Sequence, residues 1–263
     1  MEYTAQAVWR PLLADPSGQR LEKPRTTGMT MVIDKGIGLH VFEDLLKTSA
    51  AYIDMIKLGF GTSPLYPLPV LKRKIELAKE HGIILYPGGT FLEVAVRQGE
   101  IEAFFETVQS LRFTGIEVSD GTIEMSRELR NALIERGKAA ELKVMTEYGK
   151  KAKGSGIDIE ALVETVRQDA ESGADMVIVE GRESGTGVGL YDDNGECDDG
   201  TLREAVRRLA HPDMVMWEAP LCKQQVHLLK TLGMNANLGN IGAEDVLSLE
   251  CLRRGLRSDT FAW

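Results

Sequence analysis

The chain has 263 residues, of which 43% are hydrophobic and 27% charged, and a formal net charge of −9. This composition is typical of a globular protein with a sizeable core, and the negative charge argues against nucleic acid as the main partner, because a basic surface is needed to displace counterions from phosphates. Three widely spaced cysteines form no zinc or disulfide pattern, and without a signal-like start or an apolar run of about 18 residues we expect a cytoplasmic protein with reduced thiols and no membrane partner.

The first 28 residues predict a short irregular N-terminal arm. They contain Pro11, Pro16 and Pro24 and show no sustained hydrophobic period. Such an arm could close one end of the domain. Lys23 and Arg25 add positive charge just before the first predicted strand, which fits either a solvated arm or a contact with an anion.

From Met29 onward, short apolar runs alternate with segments of helical spacing. The predicted strands are Met29–Asp34, Tyr52–Leu58, Gly82–Tyr86, Gly115–Val118, the stretch Lys143–Lys151, Met176–Val179, Met214–Trp217 and Asn235–Leu238. The predicted helices are His40–Ser49, Val70–Glu80, Ile101–Leu111, Ile123–Leu142, Ile159–Ser172, Thr201–Leu209, Lys223–Leu232 and Glu244–Gly255.

The repeated strand and helix units favour a closed barrel. They recur at intervals of roughly 20 to 40 residues, which leaves room for the helical crossover that parallel strands require. An open doubly wound sheet would also alternate in this way, but no Gly-x-Gly-x-x-Gly follows the first strand. We therefore predict an α/β protein with one (β/α)8 TIM-barrel domain over residues 1–263, preceded by the arm at 1–28.

Carboxylates collect at the predicted carboxyl ends of the strands, where barrel active sites form. They are Glu117, Asp120, Glu147, Glu180 and Glu218. None of the four histidines lies at a strand end, and oxygen ligands alone favour Mg²⁺, with Mn²⁺ as the other option, over zinc. The alternative is that these carboxylates pair with Lys57, Lys150 or Arg182 and bind no metal.

The stretch Lys143–Lys151 alone brings two adjacent lysines to a strand end. A lysine near a barrel axis could form a Schiff base, donate a proton or hold an anion. The side chains of Lys150 and Lys151 should point in different directions, so we expect one of them to enter the site. Glu147 could hold the ammonium form and favour proton donation. These residues leave the three roles open.

Glycines after the strands suggest contacts with an anion. Gly239–Gly242 precedes the last helix, where free backbone N–H groups would stabilise a phosphate. The segment also follows the eighth strand, a position where barrel phosphate sites recur. Gly59–Ser63 and Pro87–Thr90 would likewise let the backbone approach a ligand closely.

Several unusual strings resemble one known family, the phosphosulfolactate synthases, from about residue 23 to Thr260. The matching segments are Lys23–Arg25 with Gly28, Tyr52–Lys57, Gly59–Ser63, Tyr86–Thr90, Glu117–Gly121, Glu147–Lys151, Glu180–Gly185, Glu218–Pro220 with Gln224 and Gln225, and Asn237–Ile241. The sequence departs from the family pattern at Phe60, where tryptophan is expected, and at Gly181, where alanine is expected. Both departures should affect packing more than chemistry.

The resemblance implies a Mg²⁺-dependent barrel enzyme of the lyase class that adds sulfite to phosphoenolpyruvate, giving (2R)-O-phospho-3-sulfolactate. Lys150 or Lys151 would protonate C2 of a metal-stabilised aci-carboxylate, with Glu147 beside it. The implied metal ligands are drawn from Glu117, Asp120, Glu147, Glu180 and Glu218. The implied substrate contacts are Lys57 and Arg182 for sulfite and carboxylate, and Asn237, Gly239, Asn240 and Ile241 for phosphate.

Two alternatives share the predicted barrel. The family also resembles plant heat-stress-associated proteins, so a non-catalytic interaction protein is one of them, although retention of both lysines and all the strand-end acids argues against it. The other is an aldolase-like enzyme with a Schiff-base lysine, which borohydride trapping would detect. We expect small anionic substrates, phosphoenolpyruvate and sulfite, as partners and a homo-oligomeric assembly.

Overall fold

A parallel β-sheet forms the centre of the fold in the computed structural model, which describes residues 9–152 and 154–261. Within those residues it has eight strands: β1 (Thr30–Asp34), β2 (Met55–Leu58), β3 (Ile84–Pro87), β4 (Gly115–Val118), β5 (Lys143–Tyr148), β6 (Met176–Val179), β7 (Val215–Glu218) and β8 (Asn237–Ile241). The strand order is β3-β2-β1-β8-β7-β6-β5-β4, with every pair parallel. The predicted (β/α)8 barrel is confirmed.

The barrel is nearly closed, and its seam lies between β3 and β4. There the amide N of Leu85 donates to Thr114 Oγ1 at 2.9 Å, and the amide N of Thr114 donates to the Leu85 carbonyl at 3.3 Å. These two hydrogen bonds join β3 and β4 in place of a regular β-ladder. The remaining seven neighbouring strand pairs carry regular ladders or, between β1 and β8, a bulged one.

Helices surround the sheet. In the described part of the chain they are α1 (Pro11–Ala14), α2 (Leu39–Ser49), α3 (Leu68–Glu80), α4 (Gly89–Gln98), α5 (Ile101–Leu111), α6 (Arg127–Ala139), α7 (Ile159–Glu171), α8 (Asp199–Arg208), α9 (Cys222–Leu232) and α10 (Val246–Arg253). Short 3-10 turns occupy Ala50–Tyr52, Ser63–Leu65, Pro212–Met214 and Ala243–Asp245. No helix among the described residues is long and apolar enough to cross a bilayer.

Several predicted bounds differ from the structure, and two of the differences lie near the strand tips. No helix was predicted between Tyr86 and Ile101, but α4 begins at Gly89, directly after β3. The eighth strand was expected to end at Leu238, but β8 continues to Ile241. The ladder between β1 and β8 shifts register, since Thr30 pairs with Leu238 and Val32 with Ile241. This bulge inserts one extra residue in β8.

The interior of the barrel is filled largely by methionine. Side chains alternate along each strand, so one set packs against the helices and the other fills the barrel. The second set forms a cluster made of Met31, Met55, Tyr86, Met145, Met176, Ile178 and Met216, each at most 3% exposed. Unbranched thioethers fill an irregular space well. We call this cluster the methionine layer.

The N-terminal arm closes the amino-terminal end of the barrel. Lys23 Nζ donates to the carbonyl oxygens of Ala50 at 3.1 Å and Ile53 at 2.6 Å. The Arg25 guanidinium donates to both carboxylate oxygens of Asp54, just before β2, at 3.0 and 3.1 Å. Both cations therefore have partners at the end of the barrel opposite to the strand tips.

Candidate active site

A cavity of about 290 Å³ opens at the carboxyl ends of the strands. Its lining includes the charged side chains Lys57, Glu117, Glu147, Lys151, Glu180, Arg182, Glu183 and Glu218, with Phe60, Thr90, Thr122 and Asn240. Side chains along a strand point alternately to its two faces, and this period of two explains how several of these residues reach the cavity. Lys57, Glu147 and Glu218 each follow a methionine of the methionine layer by two residues, and therefore point inward one step closer to the strand tips.

Lys57 lies in the middle of the carboxylates. Its Nζ is 2.7 Å from Glu218 Oε1, 3.6 Å from Glu117 Oε2 and 3.7 Å from Glu147 Oε2. Burial alone would lower the pKa of this lysine, but the three carboxylates outweigh it and raise the pKa well above its ordinary value. Lys57 is therefore a permanent cation beneath the cavity.

Lys151 reaches the cavity from the loop after β5. Its Nζ is 2.8 Å from Glu147 Oε1 and 3.7 Å from Glu180 Oε2, and it donates to Thr90 Oγ1 at 3.2 Å. The side chain keeps 23% of its surface exposed. Burial acts to lower its pKa, but Glu147 and Glu180 raise it above the ordinary lysine value. The group is thus an ammonium that solvent and a ligand can both reach.

The buried carboxyl groups divide into different protonation states. Burial raises the pKa of Glu180 to about 10, and the neighbouring Glu147 charge adds to the shift. Burial also raises the pKa of Glu117 to about 7, although Lys57 opposes it. At Glu147, burial is outweighed by Lys151 and Lys57, which lower the pKa to about 2. Near neutral pH, Glu147 is ionised and Glu180 holds a proton.

Backbone donors orient three of these carboxyl groups. The amide N of Gly89, the first residue of α4, donates to Glu117 Oε1 at 2.8 Å. The amide N of Gly181 donates to Glu218 Oε2 at 2.9 Å, and that of Arg182 donates to Glu180 Oε1 at 2.6 Å. A carboxyl group held through one oxygen presents the other in a defined direction.

The donor chemistry fits a hard divalent cation. Glu117 Oε2 and Glu180 Oε2 are buried and have no hydrogen-bond partner among the described residues. Within that part of the chain, no three His, Cys, Asp or Glu side chains form a ready ligand set. Mg²⁺ commonly binds through one or two protein carboxylates and takes its other ligands from substrate and water. Both oxygens face a lysine ammonium, at 3.6 and 3.7 Å, but accept no hydrogen bond from the described residues, which is compatible with that mode of binding.

Of the two adjacent lysines, the structure brings Lys151 into the cavity and turns Lys150 away. Lys150 Nζ donates to the carbonyls of Asp120 at 2.8 Å and Ile123 at 3.0 Å, and its side chain is 43% exposed. The Asp120 carboxylate also lies outside the cavity, 3.3 Å from Arg130 and 3.9 Å from Lys150. The structure therefore places Asp120 apart from the other predicted metal ligands, beside Arg130 of α6.

The expected phosphate turn at Gly239–Ile241 is part of β8 rather than a turn. Gly239 lies against Met31 and Met216 of the methionine layer, and Ile241 belongs to the core between sheet and helices. The Asn237 carboxamide lies at the amino-terminal end of the barrel, where Nδ2 donates to the carbonyl of Asp213 at 2.9 Å and Oδ1 accepts from the amide N of Met29 at 3.0 Å. These three residues do not reach the cavity.

Asn240 and Arg182 do reach the cavity, and both have a left-handed backbone. Asn240 has φ 56° at the β8 bulge, and its buried Oδ1 accepts no hydrogen bond from the described residues. Arg182 has φ 59°, and in the described ranges its guanidinium makes no ion pair. A guanidinium without an ion-pair partner, and an asparagine amide through its N–H donors, are suited to binding an oxyanion.

Thr90 is a functional candidate that the sequence reading missed. It lies in the first turn of α4, a helix hidden by the two glycines that begin it. Leu92, Ala95 and Val96 have helical spacing and could have revealed the helix. With α4 recognised, Thr90 would have been placed beside the carboxyl end of β3.

Comparisons with known proteins show the family of this chain. The family model described as (2R)-phospho-3-sulfolactate synthase (ComA) matches residues 18–259. A phosphosulfolactate synthase from Methanocaldococcus jannaschii is 41% identical over 236 residues, covering 89% of this chain and 94% of the relative. Another, from Methanothermobacter thermautotrophicus, is 39% identical over 243 residues, covering 92% and 94%.

A solved 3-hexulose-6-phosphate synthase shares the fold, with a TM-score of 0.52 at 15% identity over 86% of this chain and 98% of that one. At such low identity the likeness concerns the barrel alone. The family match and the two archaeal relatives, which cover nearly the whole chain, are far more specific. This chain belongs to the phosphosulfolactate synthase family of lyases.

Proposed function

We propose that this chain adds sulfite to phosphoenolpyruvate and releases (2R)-O-phospho-3-sulfolactate, with Lys151 as the proton donor. The observation that carries the proposal is an ammonium group held 2.8 Å from the ionised Glu147 and partly open to the cavity. Membership of the phosphosulfolactate synthase family supplies the reaction. In this proposal the cavity would supply a cation, an acid and contacts for the oxyanion groups of the substrates.

The reaction requires a new C–S bond at C3 and a proton at C2. The sulfur lone pair of sulfite attacks the methylene C3 of the enol phosphate and forms the C–S bond. The electrons of the C2–C3 double bond move onto the substrate carboxylate, which becomes an aci-carboxylate dianion. Lys151 Nζ then gives a proton to C2, and the electrons return to form the C2–H bond. A general acid positioned at such a carbon typically contributes about 10²- to 10⁴-fold in rate.

The other residues would bind and orient the substrates. Arg182 and Asn240, which lack protein partners among the described residues, would hold oxyanion groups of the substrates. The buried cation Lys57 would offset negative charge beneath the reacting carbons. Glu147 would keep Lys151 protonated until the carbanion forms.

Mg²⁺ would be held by Glu117 and Glu180, whose outer oxygens have no hydrogen-bond partner within the described ranges. When bound, the ion would neutralise charge that accumulates on the substrate carboxylate. Mn²⁺ prefers similar oxygen ligands and could replace it. A raised pKa at Glu180 fits this role, because a cation would compete with the proton on that group.

The raised pKa of Lys151 favours the acid role over a Schiff base. A Schiff-base lysine must be a neutral amine to attack a carbonyl, and such lysines usually have a lowered pKa. Borohydride trapping with a carbonyl substrate should therefore leave Lys151 unmodified. The intact set of cavity residues likewise gives no support to a purely structural protein.

The test is direct. Purified protein is incubated with phosphoenolpyruvate, sulfite and Mg²⁺, and phosphorus NMR follows the appearance of phosphosulfolactate. A parallel sample without sulfite shows any unrelated loss of phosphoenolpyruvate. If no phosphosulfolactate forms with Mg²⁺ or Mn²⁺, the proposed function fails.

A further inference from the structure

Glu93 is a buried acidic residue whose contacts the reaction does not explain. It lies in α4, is 1% exposed, and makes no ion pair in the part of the chain that the structure describes. Burying a carboxyl group without a cation costs free energy unless hydrogen bonds satisfy its oxygens. The identity of its donors therefore indicates what the residue holds in place.

Among the described residues, all the donors to Glu93 come from one short segment, the Ser119–Thr122 loop, which follows β4. Oε1 accepts from the Ser119 hydroxyl and from the amide N of Gly121 at 3.0 Å. Oε2 accepts from the Thr122 hydroxyl and from the amide N of Thr122 at 2.9 Å. One side chain thus fixes both backbone and hydroxyl groups of this loop.

The same loop contacts Lys151. The amide N of Lys151 donates to the Gly121 carbonyl at 3.1 Å. The methylene groups of Lys151 also lie against the Gly121 backbone, since a Cβ at Gly121 would be 3.0 Å from both Cγ and Cε of the lysine. A Cβ at this position would force the lysine side chain to move by a few tenths of an ångström. The position of the loop therefore sets the direction of the ammonium group.

We propose that Glu93 is a positioning residue that holds the Ser119–Thr122 loop and, through Gly121, aims Lys151 into the cavity. The proposal rests on the proposed function for its effect on turnover. The placement of Lys151 by the loop can be tested whether or not the protein catalyses this reaction. Glu93 would act through the loop and would not touch the substrates.

The first measurement is independent of activity. Folded protein is treated with an amine-acylating reagent at mildly alkaline pH, and peptide mass spectrometry gives the labelling rate of Lys151 relative to the exposed Lys47. Glu93→Gln replaces one carboxylate oxygen by an NH2 group. This group would face the amide and hydroxyl donors of Thr122 without being able to accept from them, so the loop should shift. Gly121→Ala should push the lysine aside directly. We expect the relative labelling rate of Lys151 to rise at least about threefold in both variants as its contacts with Glu147 and Thr90 are lost.

The second measurement is turnover. In both variants kcat should fall by about 10²-fold, because displacing a reacting group by about an ångström has an effect of that size. The KM for phosphoenolpyruvate should change less than about threefold, since the substrate contacts remain. Ser119→Ala removes one hydroxyl donor and keeps the Cβ, so it should give a smaller change in the same direction.

The control is Glu250→Gln, a buried glutamate at the opposite end of the barrel that pairs with Arg20 at 3.0 Å. It should lower stability and leave both Lys151 labelling and kcat unchanged.

Should Glu93→Gln fail to fold, Gly121→Ala and Ser119→Ala test the same connection. Wild-type labelling and kcat in the folded Glu93 and Gly121 variants would overturn the proposal. If the wild type has no turnover, the labelling result still decides the placement of Lys151.

Discussion

Lys151 Nζ lies 2.8 Å from Glu147 Oε1, and the two residues are four positions apart at the end of one strand. The strand gives the carboxylate a rigid position, and the following loop brings the ammonium back to it. Both groups of the pair therefore come from one short segment, and the Ser119–Thr122 loop after β4 supports the lysine. Its place at the mouth of the barrel exposes the ammonium to the cavity while the carboxylate stays 2% exposed.

Lys151→Ala and Lys150→Ala should have very different effects. Loss of the proposed acid should lower kcat by about 10²-fold or more. Lys150 bonds to loop carbonyls outside the cavity, so its removal should leave most of the turnover. Phosphorus NMR of the two variants under identical conditions provides the measurement. Equal and mild losses would remove lysine from the acid role.

Glu147→Gln removes the negative charge that lies beside the Lys151 ammonium. Without the carboxylate the pKa of Lys151 should fall, because Glu147 is the largest of the groups that raise it. We expect kcat to fall by about 10²-fold and the pH profile to shift to lower pH. Glu124→Gln is the matched control, since Glu124 is an exposed partner of Lys150 at 3.3 Å. A wild-type profile in Glu147→Gln would contradict the pairing.

The raised pKa of Glu180 predicts a pH dependence of stability. The folded group titrates at about 10 against an ordinary value of 4.5, so above 4.5 the folded state binds more protons than the unfolded state. Stability should therefore fall as pH rises through this window, by up to about 1.4 kcal/mol per pH unit from this group. Urea unfolding between about pH 6 and 9 should show a smaller loss for Glu180→Gln, which cannot ionise. Parallel wild-type and variant curves would refute the shift.

Asn240 allows side chain and backbone to be tested separately. Asn240→Gly keeps the left-handed backbone at φ 56° and removes the amide. It should raise the KM for phosphoenolpyruvate by about tenfold, the effect of one lost hydrogen bond, with little loss of stability. Asn240→Ala should give the same KM and also lose about 1 kcal/mol of stability, because alanine is strained there. An unchanged KM in both variants would place Asn240 outside the substrate site.

The arm should matter for stability and not for catalysis. Arg25→Ala leaves the buried Asp54 carboxylate without its cation, and breaking such a pair typically costs about 3–5 kcal/mol. Urea unfolding should show this loss, while kcat of the folded fraction remains at the wild-type value. A large fall in kcat with unchanged stability would mean that the arm influences the cavity from the opposite end.

The strand tips were predictable because they depend on a local pattern. A buried strand has a period of two and ends where polar residues begin, so Lys57, Glu117, Glu147, Glu180 and Glu218 were all predicted at one end of the barrel, and the cavity contains all five. The choice between Lys150 and Lys151 was not predictable. It depends on tertiary contacts, since Lys150 Nζ donates to the carbonyls of Asp120 and Ile123, whereas Lys151 lies beside Glu147 and Gly121.

The predicted site residues that lie outside the cavity are held there by tertiary pairing. Asp120 is adjacent to the site in sequence, but Arg130 of α6 draws its carboxylate away. Gly239 and Ile241 looked like a turn because glycine and asparagine are frequent there, yet pairing with β1 and β7 keeps them in a strand. No local pattern reveals which neighbouring strand completes a ladder.

The methionine layer leaves the charged cavity with a dry floor. Its side chains are at most 3% exposed, and Tyr86 carries the single hydroxyl among them, so within the described residues this layer forms no continuous chain of hydroxyl groups or carboxylates to the amino-terminal end of the barrel. A proton given up by Lys151 must therefore return through the mouth of the cavity. Recharging the acid would then wait until the product leaves and bulk water enters, so each turnover would be separated from the next by the exchange of solvent.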